Sequence, residues 1–226
     1  MTNDKFIDLH IHSNNSDGTF APKQLVDIAE KNNVGILSIT DHDSISGLDE
    51  FKCNIPYDML GVKGIEFSSF IIDNNEKIKY SKENIDELRN YYKINRFSYG
   101  SDYDLDAKRV IDAIHSASGY VVFAHPMAYK FSSDKDRIER IIKILILMGI
   151  DGIEIYQSDC MIKDIIWLGK IANENNLLFS VGSDFHRIKN SDGRQIGLGI
   201  NNNLCITETS LTNEIIKSKK YFRKVN

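Results

Sequence analysis

The chain has 226 residues, 42% of them hydrophobic and 27% charged, and its 28 basic and 32 acidic side chains leave a formal charge of −4. A chain of this size can bury a full core without disulfide or metal staples. One domain with an embellishment is therefore expected, and a disordered or coiled-coil chain is excluded. The acidic balance argues against a broad basic footprint for nucleic acid.

The first residues show no basic stretch leading into an apolar run, so no signal peptide is expected. Next comes a strand over 5–10 and a helix over 22–32, where Pro22 suits a first turn and Leu25, Val26, Ile28 and Ala29 fall near one face. A strand over 35–40, a helix over 44–53 and a strand over 60–66 follow. Segment 67–103 breaks the rhythm and reads as an insertion: a hairpin over 70–72 and 77–80, then a polar helix and a loop. The alternation resumes with a helix over 104–118, a strand over 120–124 and a helix over 133–148. Ser133, Asp134 and Lys135 offer caps at the start of that last helix, and Gly149 offers a stop. Its most apolar stretch, 141–150, contains Lys143 and is half the length that a membrane span needs. A strand over 152–155, a helix over 159–175, strands over 178–181 and 197–200 and a helix over 209–223 complete the chain. Alternating strands and helices with nearly continuous apolar strands predict an α/β fold with a mostly parallel sheet covered by helices. Periodicity leaves a barrel and an open sheet equally open. Cys53, Cys160 and Cys205 are few, odd in number and far apart, which fits reduced thiols in a cytoplasmic protein.

The histidines carry the chemistry. Five of the six sit at the C-terminal ends of apolar runs. His10 and His12 close Phe6-Ile-Asp-Leu-His-Ile-His, and His42 follows Ile36-Leu-Ser-Ile-Thr-Asp. His125 follows Val121-Val-Phe-Ala, and His186 follows Phe179-Ser-Val-Gly-Ser-Asp-Phe. Glu66 and Asp184 share such positions, and Asp17 lies in the 13–19 loop. Residues two apart on a strand point to one face, so His10 with His12, and Asp184 with His186, can each grip one ion together. Ligand sites in α/β folds lie outside the carboxyl ends of the strands, where these donors would converge. Imidazole plus carboxylate suits Zn, Mn or Fe better than Mg or Ca. Clustered metals of that kind bind phosphate oxygens and activate water. A lone histidine is more often a core residue, and His115, inside a helical run, is read as structural.

At these positions the sequence resembles a known family. Asp8-Leu-His-Ile-His-Ser-Asn-Asn-Ser-Asp-Gly-Thr, Ile39-Thr-Asp-His-Asp-Ser-Ile-Ser-Gly, Gly64-Ile-Glu, Ala124-His-Pro, Gly152-Ile-Glu and Gly182-Ser-Asp-Phe-His resemble the PHP (polymerase and histidinol phosphatase) family. The similarity is strongest to its stand-alone phosphoesterase branch, which acts on nucleotides or short RNA. It implies a distorted seven-stranded (β/α) barrel over 1–226, with the insertion after the third strand, and up to three divalent metals. It implies one ion on His10, His12, Glu66 and Asp184, a second on Asp17, His42 and His186, and a third on Glu66 and His125. The family's third site takes one more histidine, but this chain has none between Glu66 and His115. Lys79 and Tyr80 are poor replacements, Asp73 or Glu76 could serve, and a weak, empty or water-completed third site is expected.

The resemblance implies metal-dependent hydrolysis of a phosphate ester, as a phosphatase or a 5'-3' exonuclease-like enzyme. The substrate would be a nucleotide, a short oligonucleotide end or another small phosphomonoester, and no membrane or obligate protein partner is expected. His42 and His186 could assist proton movement, with Asp43 orienting a histidine. Arg187, Arg194 and Lys130 could bind phosphate or be ordinary surface charges. Tyr91, Tyr92, Arg96 and Tyr99 of the insertion could stack a base, though a small core of their own is favoured. Two rivals stand beside this reading: a non-catalytic metal-binding scaffold, which the missing histidine favours, and hydrolysis of a non-phosphate bond.

Overall fold

The computed structural model describes residues 5–73, 76–79, 105–128, 133–188 and 193–224. Its elements run β1 (Phe6–Asp8), α1 (Pro22–Lys31), β2 (Val34–Ile39), α2 (Leu48–Asn54), β3 (Leu60–Lys63), β4 (Ser69–Asp73) and β5 (Glu76–Lys79). They continue with β6 (Leu105–Asp106), α3 (Ala107–Ser116), β7 (Val122–Phe123), α4 (Lys135–Met148), β8 (Gly152–Gln157), α5 (Ile162–Glu174) and β9 (Leu178–Gly182). The last are β10 (Arg194–Gln195), β11 (Gly199–Ile200) and α6 (Ser210–Lys217).

Local chemistry explains the helix ends. Pro22 is the first residue of α1, where a missing N–H costs nothing, and Gln24 accepts from the Ala21 N–H at 2.9 Å. Asp134 caps α4 by accepting from the Arg137 N–H at 2.9 Å, and Gly149 ends it at φ 100°. A residue with a side chain is strained at that φ.

Parallel strands β1, β2 and β3 make one sheet and β7, β8 and β9 another. Backbone bonds join the two where the chain runs past β1. Leu9 N–H donates to the Val181 carbonyl at 3.0 Å, Asp184 N–H to His10 at 2.8 Å and His12 N–H to Phe185 at 2.9 Å. The C-terminal ends of β1 and β9 are thereby brought side by side. Two apolar layers support this arrangement. Leu25, Val26 and Ala29 of α1 pack with Leu37, Ile39 and Phe51 on one side. Ile138, Ile141 and Ile142 of α4 pack with Ile153 and Ile155 on the other. Each such buried aliphatic side chain contributes about 1.5–3 kcal/mol.

The fold is mixed α/β, but the described strands do not close a seven-stranded barrel. The expected strand over 197–200 is short and pairs antiparallel with β10 instead. Gly197 and Gly199 have φ of +74° and +68°, which turns the chain there. The outer edge of β3 is taken by the C-terminal segment. Gly61 and Phe222 exchange two 2.8 Å backbone bonds, and the Phe222 ring lies against Phe51. Strand β4 pairs with β5 as the expected hairpin and with β6 in parallel, forming a sheet of its own. The polar helix and loop expected later in the insertion lie outside the described residues. No described helix is long and apolar enough to cross a membrane.

Candidate metal centre

The donors converge where the sheets meet. His10 and His12 lie just past β1, His42 past β2, Glu66 past β3, His125 past β7, and Asp184 and His186 past β9. A parallel bridge between His42 and Glu66 holds two of these ends together, with the Asp43 N–H donating to the Glu66 carbonyl at 2.9 Å.

Two groups of donors form among the described residues. In the first, ligand atoms of His10, His12, Glu66 and Asp184 lie within 4.8 Å of one another. The Nε2 atoms of His10 and His12 are 3.2 Å apart, and each is 3.1 Å from Glu66 Oε2. Asp184 Oδ1 is 3.7 Å from the first and 3.3 Å from the second. In the second group, ligand atoms of His12, Asp17, His42 and His186 likewise lie within 4.8 Å of one another. Asp17 Oδ2 is 3.2 Å from His186 Nε2 and 3.8 Å from His42 Nε2. His12 serves both. Its Nε2 faces the first group, and its buried Nδ1, which has no hydrogen-bond partner among the described residues, lies 3.5 Å from Asp17 Oδ1.

His125 falls in neither group but is held to them, with Nε2 2.9 Å from Glu66 Oε1. The side chains of Asp73, Glu76, Lys79 and Tyr80, weighed above as third-site partners, lie outside the described residues. So do those of Lys130, Tyr91, Tyr92, Arg96 and Tyr99.

Asp184 and His186 do not share a group as strand spacing predicts. Asp184 adopts φ +55°, so the chain leaves strand geometry there, and the two side chains join different groups although His186 Nδ1 stays 3.6 Å from Asp184 Oδ1. Asp43 and His125 are also left-handed, at +49° and +30°. Such strain, of order 1–3 kcal/mol per residue, clusters at functional sites.

The electrostatics suit a cation. Burial pushes the His10 imidazole down, but the charges of Glu154 and Glu66 outweigh it and hold it well above the ordinary range. His12 is likewise opposed by burial, yet hydrogen bonds to Asp184 and Glu66 bring it up to about 9. Burial opposes ionisation of Asp17, but His186, His42 and His12 draw it down to about 2. Glu66 and Asp184 are also held low, against burial, by the surrounding histidines. His10 Nδ1 lies 3.2 Å from Glu154 Oε2 while its Nε2 faces a second imidazole and a carboxylate, so loss of the Nε2 proton, with Nδ1–H donating to Glu154, would turn a lone pair toward the group. Donors crowded in this way call for shared positive charge, and a divalent ion bound by imidazole and carboxylate supplies it.

The other candidates are placed differently. Asp43 orients no histidine by any described bond, since its Oδ1 accepts from the Ser68 N–H at 2.9 Å and braces the turn after Glu66. Arg194 is turned inward. One guanidinium nitrogen reaches the Ser183 carbonyl at 2.7 Å and Asp184 Oδ2 at 3.4 Å, and the other reaches Asp159 at 2.8 Å. Its described bonds hold Asp184 in place. Arg187 lies half-buried directly after His186. His115 stands apart, paired with Asp151 at 2.9 Å.

Three buried acids around the donor groups, Asp8, Asp41 and Glu154, were given no role by sequence reasoning. Asp8 accepts from the N–H groups of Ser183 and Gly197 at 2.9 and 2.8 Å, tying β9 and the β10–β11 turn to β1. Asp41 and Glu154 lie behind the donor groups. The available signal was a charged residue inside or directly after an apolar run, as in Gly152-Ile-Glu-Ile.

The sequence profile of the PHP domain matches residues 8–158. The chain belongs to the PHP domain family. A 5'-3' exoribonuclease of Haemophilus influenzae is 26% identical over 80% of this chain and 90% of its own length. A 3',5'-nucleoside bisphosphate phosphatase of Chromobacterium violaceum is 24% identical over 84% and 90%. In fold, the chain is similar to an amidohydrolase from Chromobacterium violaceum with bound sulfate. The TM-score is 0.72 at 19% identity, covering 97% of this PHP chain and 98% of that one.

Proposed function

We propose that the protein is a metal-dependent phosphoesterase acting on a nucleotide, a short oligonucleotide end or another small phosphomonoester. One observation carries the reading: strand-end donors gather into two groups joined through His12, in a PHP domain. The names of the two sequence relatives, an exoribonuclease and a nucleoside bisphosphate phosphatase, support phosphate chemistry on nucleotides.

In this reading His10, His12, Glu66 and Asp184 hold one ion, and Asp17, His42 and His186 hold a second, with His12 between them. Glu66 and His125 form the nucleus of a third. Mn, Zn or Fe fits this imidazole–carboxylate set. Such ions, when bound, neutralise phosphate oxygens and lower the pKa of water, and two suffice for in-line hydrolysis. The chain sets the direction of approach. The side chain of His42 is 37% exposed, whereas those of His10 and His12 are 8% and 0% exposed. Substrate therefore enters from the His42 side, and His10 and His12 form the floor. Arg194 and Asp43 act from behind, holding Asp184 and the turn beside Glu66.

The distorted barrel and a single domain over 1–226, with 67–103 as its insertion, belong to the same proposal. So does a cytoplasmic setting, which the three free cysteines fit. The test is elemental analysis of the purified protein paired with aryl-phosphate turnover, with and without added Mn²⁺. Two or three metals per chain and chelator-sensitive turnover are expected. Metal without turnover on any phosphate ester, or no metal after reconstitution, overturns the proposal.

A further inference from the structure

Behind each donor group stands a buried carboxylate that belongs to neither and braces the side chain or the loop of a member. Glu154, on β8, is 2% exposed. Its Oε2 accepts from His10 Nδ1 at 3.2 Å and from the backbone N–H of His125 at 2.7 Å. A single oxygen thus fixes the His10 ring, turning Nε2 toward the first group, and pins the chain that carries His125 against Glu66. Gly182 leaves room for this contact, because a Cβ there would lie 2.0 Å from Glu154 Oε1 and 2.2 Å from His10 Cβ.

Asp41, also 2% exposed, stands behind the second group. It accepts from the Ser13 N–H at 2.6 Å, the Ser13 hydroxyl at 2.6 Å and the Ser16 hydroxyl at 2.7 Å. Ser13 in turn receives the Ser16 and Gly18 N–H groups, which closes the loop on either side of Asp17. Asp41 directly precedes His42, and its carbonyl receives the Glu66 N–H at 3.3 Å. It therefore joins the loop bearing Asp17 to the strand end bearing His42, two members of the second group.

We infer that Glu154 and Asp41 are separate positioning residues, each setting the affinity of one donor group and leaving the other in place. The inference rests on the metal-binding reading above. Carboxylates that orient ligands in this way change metal affinity by about 10–100-fold. Because the two touch different strands and different ligands, their effects should separate.

The experiment is Mn²⁺ titration of wild type, Glu154→Gln and Asp41→Asn, with the ions located by anomalous scattering from crystals of each. Wild type should bind at both groups. Glu154→Gln should weaken Mn²⁺ about 10–100-fold at the His10 group and keep the ion near Asp17. Asp41→Asn should do the reverse. A variant that fails to fold is replaced by its milder counterpart, Glu154→Asp or Ser16→Ala, with the same direction at the same group. Equal losses at both groups, or no loss at either, overturn the inference while the metal reading stands. Absence of Mn²⁺ from the wild type overturns both.

Discussion

His115 and His10 are both histidines paired with an acid, and the molecule uses them in opposite ways. His115 lies on α3 at the surface, its side chain 38% exposed, with Asp151 2.9 Å from its Nε2. Water reaches that pair and screens it. His10 is buried at a strand end, where a second imidazole, Glu66, Asp184 and Glu154 all lie within 3.7 Å of its ring nitrogens. There water cannot share the charge, and more lone pairs converge than protons can serve. The difference teaches that convergence and burial make a histidine available to a metal, and that an acidic neighbour by itself does not.

The comparison can be broken most forcefully at Asp184. Asp184→Ala removes a donor from the first group and should lower phosphate-ester turnover by roughly a thousandfold or more, with the circular dichroism spectrum unchanged. Retained turnover would mean that the convergence is not catalytic.

Next comes pH. With its pKa raised to about 9, His12 stabilises the chelator-treated protein through its charge. That contribution is complete below the unfolded value near 6.5 and is lost as pH rises through about 9. Melting temperature without metal should fall over that window, by the equivalent of about 3 kcal/mol. Metal affinity should rise over the same window, about tenfold per pH unit for each proton the ion displaces. Parallel slopes in the two measurements would contradict the shared use of His12.

A smaller effect is expected at Gly182. Gly182→Ala drives a methyl group into Glu154 and His10 and should cost about 1–3 kcal/mol, a fall in melting temperature of roughly 2–10 °C. Thermal unfolding measures it, and an unchanged midpoint would show that the strands yield freely. The smallest effect is His115→Ala, with a loss of at most about 1 kcal/mol and turnover within error of wild type. A large loss of turnover there would erase the distinction between the two regions.

Much of the site was legible because its signals are local. The placement of histidines after apolar runs marked strand ends, and the alternate positions of His10 and His12 put both on one face. Motif order in the PHP resemblance then grouped Asp17 with His42 and His186, and these three lie together. The bracing acids were not legible. Asp41 and Glu154 differ from surface acids only in being buried behind their partners, and burial depends on segments far away in the chain. The same limit applies to the β3 edge, which Phe222 covers from the far end of the sequence, and to β10–β11, where glycine backbone angles turn an expected barrel strand into a hairpin.

By itself, the sequence determined which side chains could hold a metal and at which strand ends they would sit, because side-chain direction follows from alternation over a few residues. Only the tertiary structure decided that His12 faces both groups, that Asp184 and His186 join different groups, and that Glu154 stands behind His10. The last of these contacts joins residues 144 positions apart. Contacts at that range are set by how whole sheets pack, and no local pattern encodes them.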